Sequence, residues 1–154
     1  RNTRAYYDVL GQVGGGRWQP GRDTRPWIRF MLTAHLRQAE TLQRRVKASE
    51  RLWMSLESLV LAKGLPERSI PALFDATNGY RLRRSTYTAA LRDNGDEVSD
   101  QTATRDLKTL VDAGFLTAQG DKRGRVYTAA EPLIEIGTEA RASRQAKRLE
   151  DPFA

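Results

Sequence analysis

From Trp27 to Lys63 the apolar positions keep a seven-residue beat, and no Gly or Pro interrupts it. Ile28, His35 and Leu42 form one series, which Leu56 rejoins; Leu32, Ala39, Val46, Trp53 and Val60 form a second, offset by four. Two series interleaved in this way make the seam of a heptad helix. Ser49 is its weakest point. The pattern fits either one long helix over Trp27–Lys63 or two helices that break near Ala48–Glu50, and it favours the single helix. The seam has three candidate partners: the short helix read upstream of it, a further part of a larger domain, or a second copy of the chain.

Beyond the break at Gly64-Leu65-Pro66 the elements are short and come in quick order. Ser69 is placed to cap a helix carrying Leu73, Phe74 and Ala76, which Asn78-Gly79 ends. Tyr80–Arg83 is a short β-prone run. Ser85 or Thr86 starts a second helix with Tyr87, Ala90 and Leu91 inward, and Asp93-Asn94-Gly95 turns the chain. Ser99 then caps a third helix whose stripe is Ala103, Leu107, Leu110 and Val111, closed by Gly114. Phe115, Leu116 and Ala118 alternate into a strand, Gly120–Gly124 turns, and Arg125–Thr128 gives a second β-prone run with Val126 and Tyr127. Helix, short strand, helix, turn, helix and hairpin is the order of a winged helix-turn-helix. The expected fold is therefore mainly α: a helical N-terminal segment followed by a winged helix-turn-helix with a small β-hairpin wing. The divisions are a helical segment at 1–63, a linker at 64–68, the winged helix at 69–130, and a C-terminal helix and tail at 131–154. That last helix starts at Glu131-Pro132, packs through Leu133, Ile136 and Ala140, and frays before Asp151, with Arg144, Lys147 and Arg148 in solvent.

The first residues add little to this frame. Asn2–Leu10 reads as the end of a helix with Tyr6, Tyr7 and Leu10 as its apolar contacts. Gly11–Gly21 holds five glycines and a proline and reads as a loop pinned by Trp18. A phosphate-cradling role is disfavoured, since no Gly-Lys-Ser/Thr follows and no strand precedes. Asp23 or Thr24 caps the long helix, with Pro26 in its first turn.

The candidate chemistry lies on the third helix of the winged region and its wing. Ser99, Gln101, Thr102, Thr104, Arg105 and Lys108, with Thr109, fall on the outward face. Lys122, Arg123 and Arg125 fall at the hairpin. Side chains of these types reach base edges and phosphates, so the expected partner is duplex DNA: Arg105, Gln101 and Thr102 toward bases, the Lys and remaining Arg side chains toward phosphates. Charge complicates this. The chain carries a net +7, but residues 1–50 hold ten Lys/Arg against four Asp/Glu while residues 69–128 hold nine against eight. The winged helix also serves elsewhere as a protein-interaction module, so recruitment of a protein partner, or homodimerisation through the heptad seam, stands as the alternative.

Other classes find no residues. With no Cys there is no disulfide framework and no Cys-ligated zinc site. His35 is the only histidine, and on the seam it reads as a packed, hydrogen-bonded residue rather than a ligand or base. No nucleophile–base pair, paired-carboxylate motif or P-loop is present, so the chain is read as non-enzymatic and without cofactor or metal. No apolar run spans a membrane and no signal peptide opens the chain, which points to a cytoplasmic protein. A start at Arg1 rather than Met is expected of a fragment or a processed chain.

Two stretches taken together resemble a known family. Asn2–Leu10 (NTRAYYDVL), followed by a loop and DTRPWIRFMLTAHLRQAE, is similar to the helix ending in a Tyr-Tyr pair, and the Trp-Ile-Arg-Phe helix after it, that follow the catalytic motif of many Fic/DOC proteins. SDQTATRDLKTLVDAGFL with GRVY resembles the winged helix appended to the Fic domain in a large bacterial subgroup. The resemblance covers Asn2 to about Tyr127, and the winged-helix piece alone is shared with many repressors. It implies a parent protein adenylyltransferase that moves AMP from ATP to a protein hydroxyl. The His-Pro-Phe-x-Asp/Glu-Gly-Asn-Gly-Arg motif that does so is not in this sequence, and His35, followed by Leu36-Arg37-Gln38, does not match it. What the resemblance implies for this chain is the noncatalytic C-terminal region, with ATP and Mg²⁺ belonging to the catalytic Fic domain of the same protein.

Overall fold

A computed structural model of the chain describes residues 3–17, 19–121 and 124–142. They form six α-helices and one antiparallel hairpin: α1 (Thr3–Gly14), α2 (Arg25–Lys63), a 3-10 turn (Glu67–Ser69), α3 (Ile70–Thr77), α4 (Arg84–Asp93), α5 (Asp100–Asp112), β1 (Leu116–Gln119), β2 (Val126–Ala129) and α6 (Glu131–Ala142). The fold is mainly helical with a small hairpin wing, as the pattern required. No helix among the described residues is long and apolar enough to cross a membrane. The chain divides into two compact units, one running up to Val46 and the other starting at Lys47.

In the first unit α1 runs past the expected end at Leu10 and stops at Gly14. Gly11 and Gly14 are tolerated because an added residue on a formed helix costs only about 1 kcal/mol when it is Gly. The helix ends where Gly15 turns to φ +56°. Trp18, expected to pin the loop, lies outside the described residues. Thr24 accepts the first α2 hydrogen bond on its carbonyl from Ile28 N–H at 3.1 Å, and Asp23 Oδ1 accepts from Arg25 N–H at 3.0 Å. Tyr6 of α1 meets Trp27 edge-on at 5.3 Å and Phe30 at 6.5 Å. That stripe of α2 is not the heptad seam. Ile28, Leu32, Leu42 and Val46 remain exposed, and so does His35. The expectation of a packed, hydrogen-bonded histidine is therefore corrected, because α1 engages a different face of the helix.

The long helix is continuous through Ser49, since serine costs a helix only a few tenths of a kcal/mol and no breaker is near. In the second unit its buried stripe is Ala48, Leu52, Leu56 and Val60. Only Leu56 and Val60 of these belong to the seam; Trp53 is half-exposed and leans on Phe74 at 5.7 Å. Leu52, Leu56 and Val60 share one core with Leu73 of α3, Leu91 of α4, Leu107 and Leu110 of α5, and Leu133 of α6. Residues 64–68 join this unit closely: Leu65 packs against the core and Arg68 is ion-paired to α5.

Local endings follow the sequence signals. α3 stops at Asn78-Gly79, with Gly79 at φ +88° and Tyr80 N–H donating to Asp75 O. Ser69 is not a side-chain cap. It sits in the 3-10 turn with helical backbone angles, is fully buried, and donates its hydroxyl to Pro66 O at 2.6 Å. At α4 it is Thr86 that works back on the preceding residue, its Oγ1 accepting from Arg83 N–H at 2.9 Å. The expected first strand shrinks to one bridge, in which Leu82 and Tyr127 exchange both backbone hydrogen bonds at 2.9 Å. Tyr127 thus lies between that bridge and its β1 partner Ala118. Ala118 is exposed, and the two residues that anchor β1 to the core are the adjacent Phe115 and Leu116. α6 starts at Glu131 and buries Leu133, Gly137 and Ala140; the tail with Arg144, Lys147 and Arg148 lies outside the described residues.

Candidate nucleic-acid interface

The third helix of the winged region, α5, is amphipathic in a way that fixes what faces out. Ala103, Leu107 and Leu110 are fully buried, which leaves Asp100, Gln101, Thr104, Arg105 and Lys108 exposed on the opposite side. Ser99 opens the helix as expected: its Oγ accepts from Thr102 N–H at 3.1 Å, and the Ser99 and Thr102 hydroxyls lie 3.0 Å apart. One hydroxyl proton lies between the two oxygens, and the other hydroxyl keeps its proton to donate elsewhere. Thr104 and Thr109 donate their hydroxyl protons to the carbonyls of Asp100 and Arg105, at 2.7 and 3.0 Å. They keep lone pairs but no free proton.

Gln101, Thr104, Arg105 and Lys108 line a shallow groove of about 660 Å³ together with Arg84, from the first turn of α4, and Asp100. Three cations and one carboxylate make this groove positive, although the winged region as a whole is close to neutral. Arg84 Nη2 lies 3.1 Å from Asp100 Oδ2, and both side chains are more than half exposed. Lys108 Nζ lies 3.7 Å from Asp112, a loose pair of exposed groups that holds little energy. Arg84 and Asp100 were not singled out in the sequence. The signal that could have found them is a charged residue in the first turn of each of two successive helices, a position that faces a backbone or a base in a helix-turn-helix.

The wing is described in part. Arg125 is exposed, and its Nε donates to Gly120 O at 3.4 Å. Gly120 turns at φ +78°, where a Cβ would sit 3.1 Å from Gly124 O, so the turn is built for glycine. Lys122 and Arg123 lie outside the described residues.

Behind the groove is a polar clasp that the sequence reading missed. Asp106 is buried on α5 and accepts from Arg68 Nε and Nη2 at 2.7 and 2.8 Å and from the Tyr87 hydroxyl at 3.0 Å. It ties the 3-10 turn, α4 and α5 together. The hydrogen bonds to Asp106 hold the Arg68 guanidinium above its ordinary pKa. Burial, then the charge of Asp106 and its hydrogen bond, push the Tyr87 hydroxyl up as well. Because α4 and α5 carry every residue of the groove, the clasp sets the mutual position of Arg84 and the α5 side chains.

No group of three metal-binding side chains occurs among the described residues. Neither a protein-family model nor a curated protein nor a solved structure matches this chain.

Proposed function

We propose that this chain is a regulatory winged helix-turn-helix that binds duplex DNA, and that it is the noncatalytic C-terminal region of a Fic-type adenylating protein. The observation that supports DNA binding best is the cationic groove on α5, in which Gln101, Thr104, Arg105 and Lys108 stand with Arg84 on one exposed face. Arg105 and Gln101 have the donors for guanine and adenine edges in a major groove; Arg84, Lys108 and the wing residues Lys122, Arg123 and Arg125 serve phosphates. Thr102 stands beside them at the start of α5, its hydroxyl 3.0 Å from that of Ser99, and keeps the base-facing role read from the sequence. The Fic assignment rests on the resemblance over Asn2–Tyr127, and catalysis is assigned to a domain outside this sequence.

The test is fluorescence anisotropy with mixed-sequence duplex DNA at about 50 and about 200 mM salt, the range in which a protein making several phosphate contacts loses orders of magnitude in affinity. Steeply salt-dependent binding is expected. Absence of binding at the lower salt would remove the DNA reading.

A second reading is favoured by a different observation. Ile28, Leu32, Leu42 and Val46 stay exposed on a helix whose apolar residues keep heptad spacing. In this reading the first unit is a docking or dimerisation module that helps to recruit the protein to be modified, and it gives an oligomer in light scattering.

A further inference from the structure

We infer that Asp100 is a specificity-determining residue of the DNA groove, exchanging Arg84 for a cytosine amino group when the correct site is bound. The inference rests on the DNA reading above and adds a residue and a base preference to it. Asp100 is the first residue of α5, in the part of a recognition helix that approaches base edges. A carboxylate there suits the helix dipole. That role explains the negative charge, but it does not explain why the carboxylate lines a groove with Arg84, Arg105 and Lys108. Facing phosphates, a carboxylate repels. Facing the major groove, it accepts well from the N4 amino group of cytosine and meets only acceptors on guanine. Asp100 therefore penalises DNA in general and is compensated where cytosine is presented.

Arg84 makes the exchange possible. In the free protein its guanidinium neutralises Asp100 at 3.1 Å, and with side-chain exposures of 51% and 69% the pair is held in water. Such pairs break at little cost. On a correct site Arg84 turns to a phosphate while Asp100 turns to the base, and neither charge is left alone. On a wrong site Arg84 must either stay on Asp100 and give up its phosphate, or leave the carboxylate unpaired beside the DNA.

The experiment compares the wild-type chain with Asp100→Asn, Arg84→Ala and, as a control, Asp112→Asn, an exposed carboxylate on the same helix that pairs with Lys108. Each is measured for affinity to mixed-sequence duplex and for the base preferences recovered by selection from a randomised duplex pool. Wild type is expected to select cytosine at one position by about five- to tenfold, and Asp100→Asn to lose that preference while gaining affinity for mixed sequence. Arg84→Ala is expected to lower the salt slope by about one contact. Asp112→Asn gains affinity at most, with the base preferences unchanged. If wild type binds DNA and Asp100→Asn selects the same sequences as wild type, the inference is overturned and the DNA reading stands. If wild type binds no duplex at low salt, both fall.

Discussion

Arg68 and Asp106 stand 38 residues apart in sequence and meet through two parallel hydrogen bonds of 2.7 and 2.8 Å. The arginine comes from the turn that follows α2 and the carboxylate from the middle of the groove helix, one position beyond Arg105. Asp106 is almost fully buried while the Arg68 side chain keeps about a third of its surface in water, 35%. The half-solvated arginine softens the desolvation penalty, and the Tyr87 hydroxyl satisfies a further lone pair of the acid. Asp106→Ala leaves both donors without their acceptor and should destabilise the fold by about 2–3 kcal/mol in urea denaturation, less than a fully buried pair would cost. Replacing both partners together, as Arg68→Met with Asp106→Leu, should cost less than Asp106→Ala alone. A stability of Asp106→Ala within about 0.5 kcal/mol of wild type, the range of an ordinary surface change, would show that the clasp is not structural.

The same cluster gives the chain an alkaline limit. Burial and the neighbouring carboxylate raise the Tyr87 pKa in the folded state, whereas the unfolded chain releases that proton near the ordinary value of about 10. Between those values the folded state holds more protons than the unfolded one, so stability is fully present below about pH 10 and is lost as the pH rises above it. Tyr87→Phe should be about 1 kcal/mol less stable at pH 7, having lost the hydrogen bond to Asp106, yet should fall less steeply above about pH 10. Denaturation at a series of pH values measures both. Parallel curves for the two proteins would count against Tyr87 as the titrating group.

The elements were legible wherever a local signal decided the structure. Ser99 before α5, Gly114 after it, and the turn at Gly120 are short-range features, and each stands where the sequence put it. The order of helices and hairpin followed from these. The heptad seam was less informative, because periodicity tells which residues share a face and not what covers that face. Leu52 and Ala48 lie off the seam and are buried, while Leu32 and Leu42 lie on it and are exposed. The candidate groove was half legible. Gln101, Thr104, Arg105 and Lys108 follow from the α5 period, but Arg84 joins them through the packing of α4 on α5, a tertiary contact with no sequence period. Asp106 was hidden for the same reason: a carboxylate on the inner face looks like a break in the apolar stripe until Arg68 is beside it.

Gly137 provides a test of packing against propensity. It lies in α6, where Ala in place of Gly normally gains about 1 kcal/mol. Here a Cβ would fall inside van der Waals contact with Thr77 Cγ2, and it would sit 2.8 Å from Arg141 Nη2. Thr77 is buried, with its hydroxyl donating to Leu73 O at 2.7 Å, and Arg141 donates to Thr77 O at 2.6 Å, so neither neighbour moves freely. Overpacking of this kind costs about 1–3 kcal/mol, enough to reverse the gain. Gly137→Ala should be destabilised, and Thr77→Ser, which removes the opposing methyl, should restore part of the loss in the double variant. A Gly137→Ala protein with a raised melting temperature would mean that α6 is free to shift away from α3.

Arg105 is the residue on which DNA affinity should depend most. It is exposed and lines the groove, and its planar fork matches the two acceptors of guanine. Arg105→Ala should lose about 1–3 kcal/mol against a selected site and relax selectivity at one base pair, with no change in thermal stability because its backbone carbonyl, not its side chain, carries the contact with Thr109. Lys108→Ala, in contrast, should weaken all duplexes alike. Undiminished affinity and unchanged selectivity in Arg105→Ala would remove Arg105 from the base-reading role.

The exposed seam of α2 discriminates the two readings of the first unit. If Ile28, Leu32, Leu42 and Val46 pair with the same residues of a second copy, light scattering should give a mass that rises toward twice that of the chain with concentration. Leu32→Glu with Leu42→Glu should return it to the monomer, since charges at facing core positions of a helix pair are unpaired and desolvated. These two leucines are 49% and 61% exposed in the single chain, so the substitutions remove little of its own packing and its circular dichroism should not change. The association should also resist salt, because it is apolar, whereas DNA binding through the groove should not. A wild-type chain that stays monomeric over the whole concentration range would exclude the homodimer. The apolar seam would then be assigned to a different protein surface, and the proposed DNA contact of α5 would be one made by a monomer.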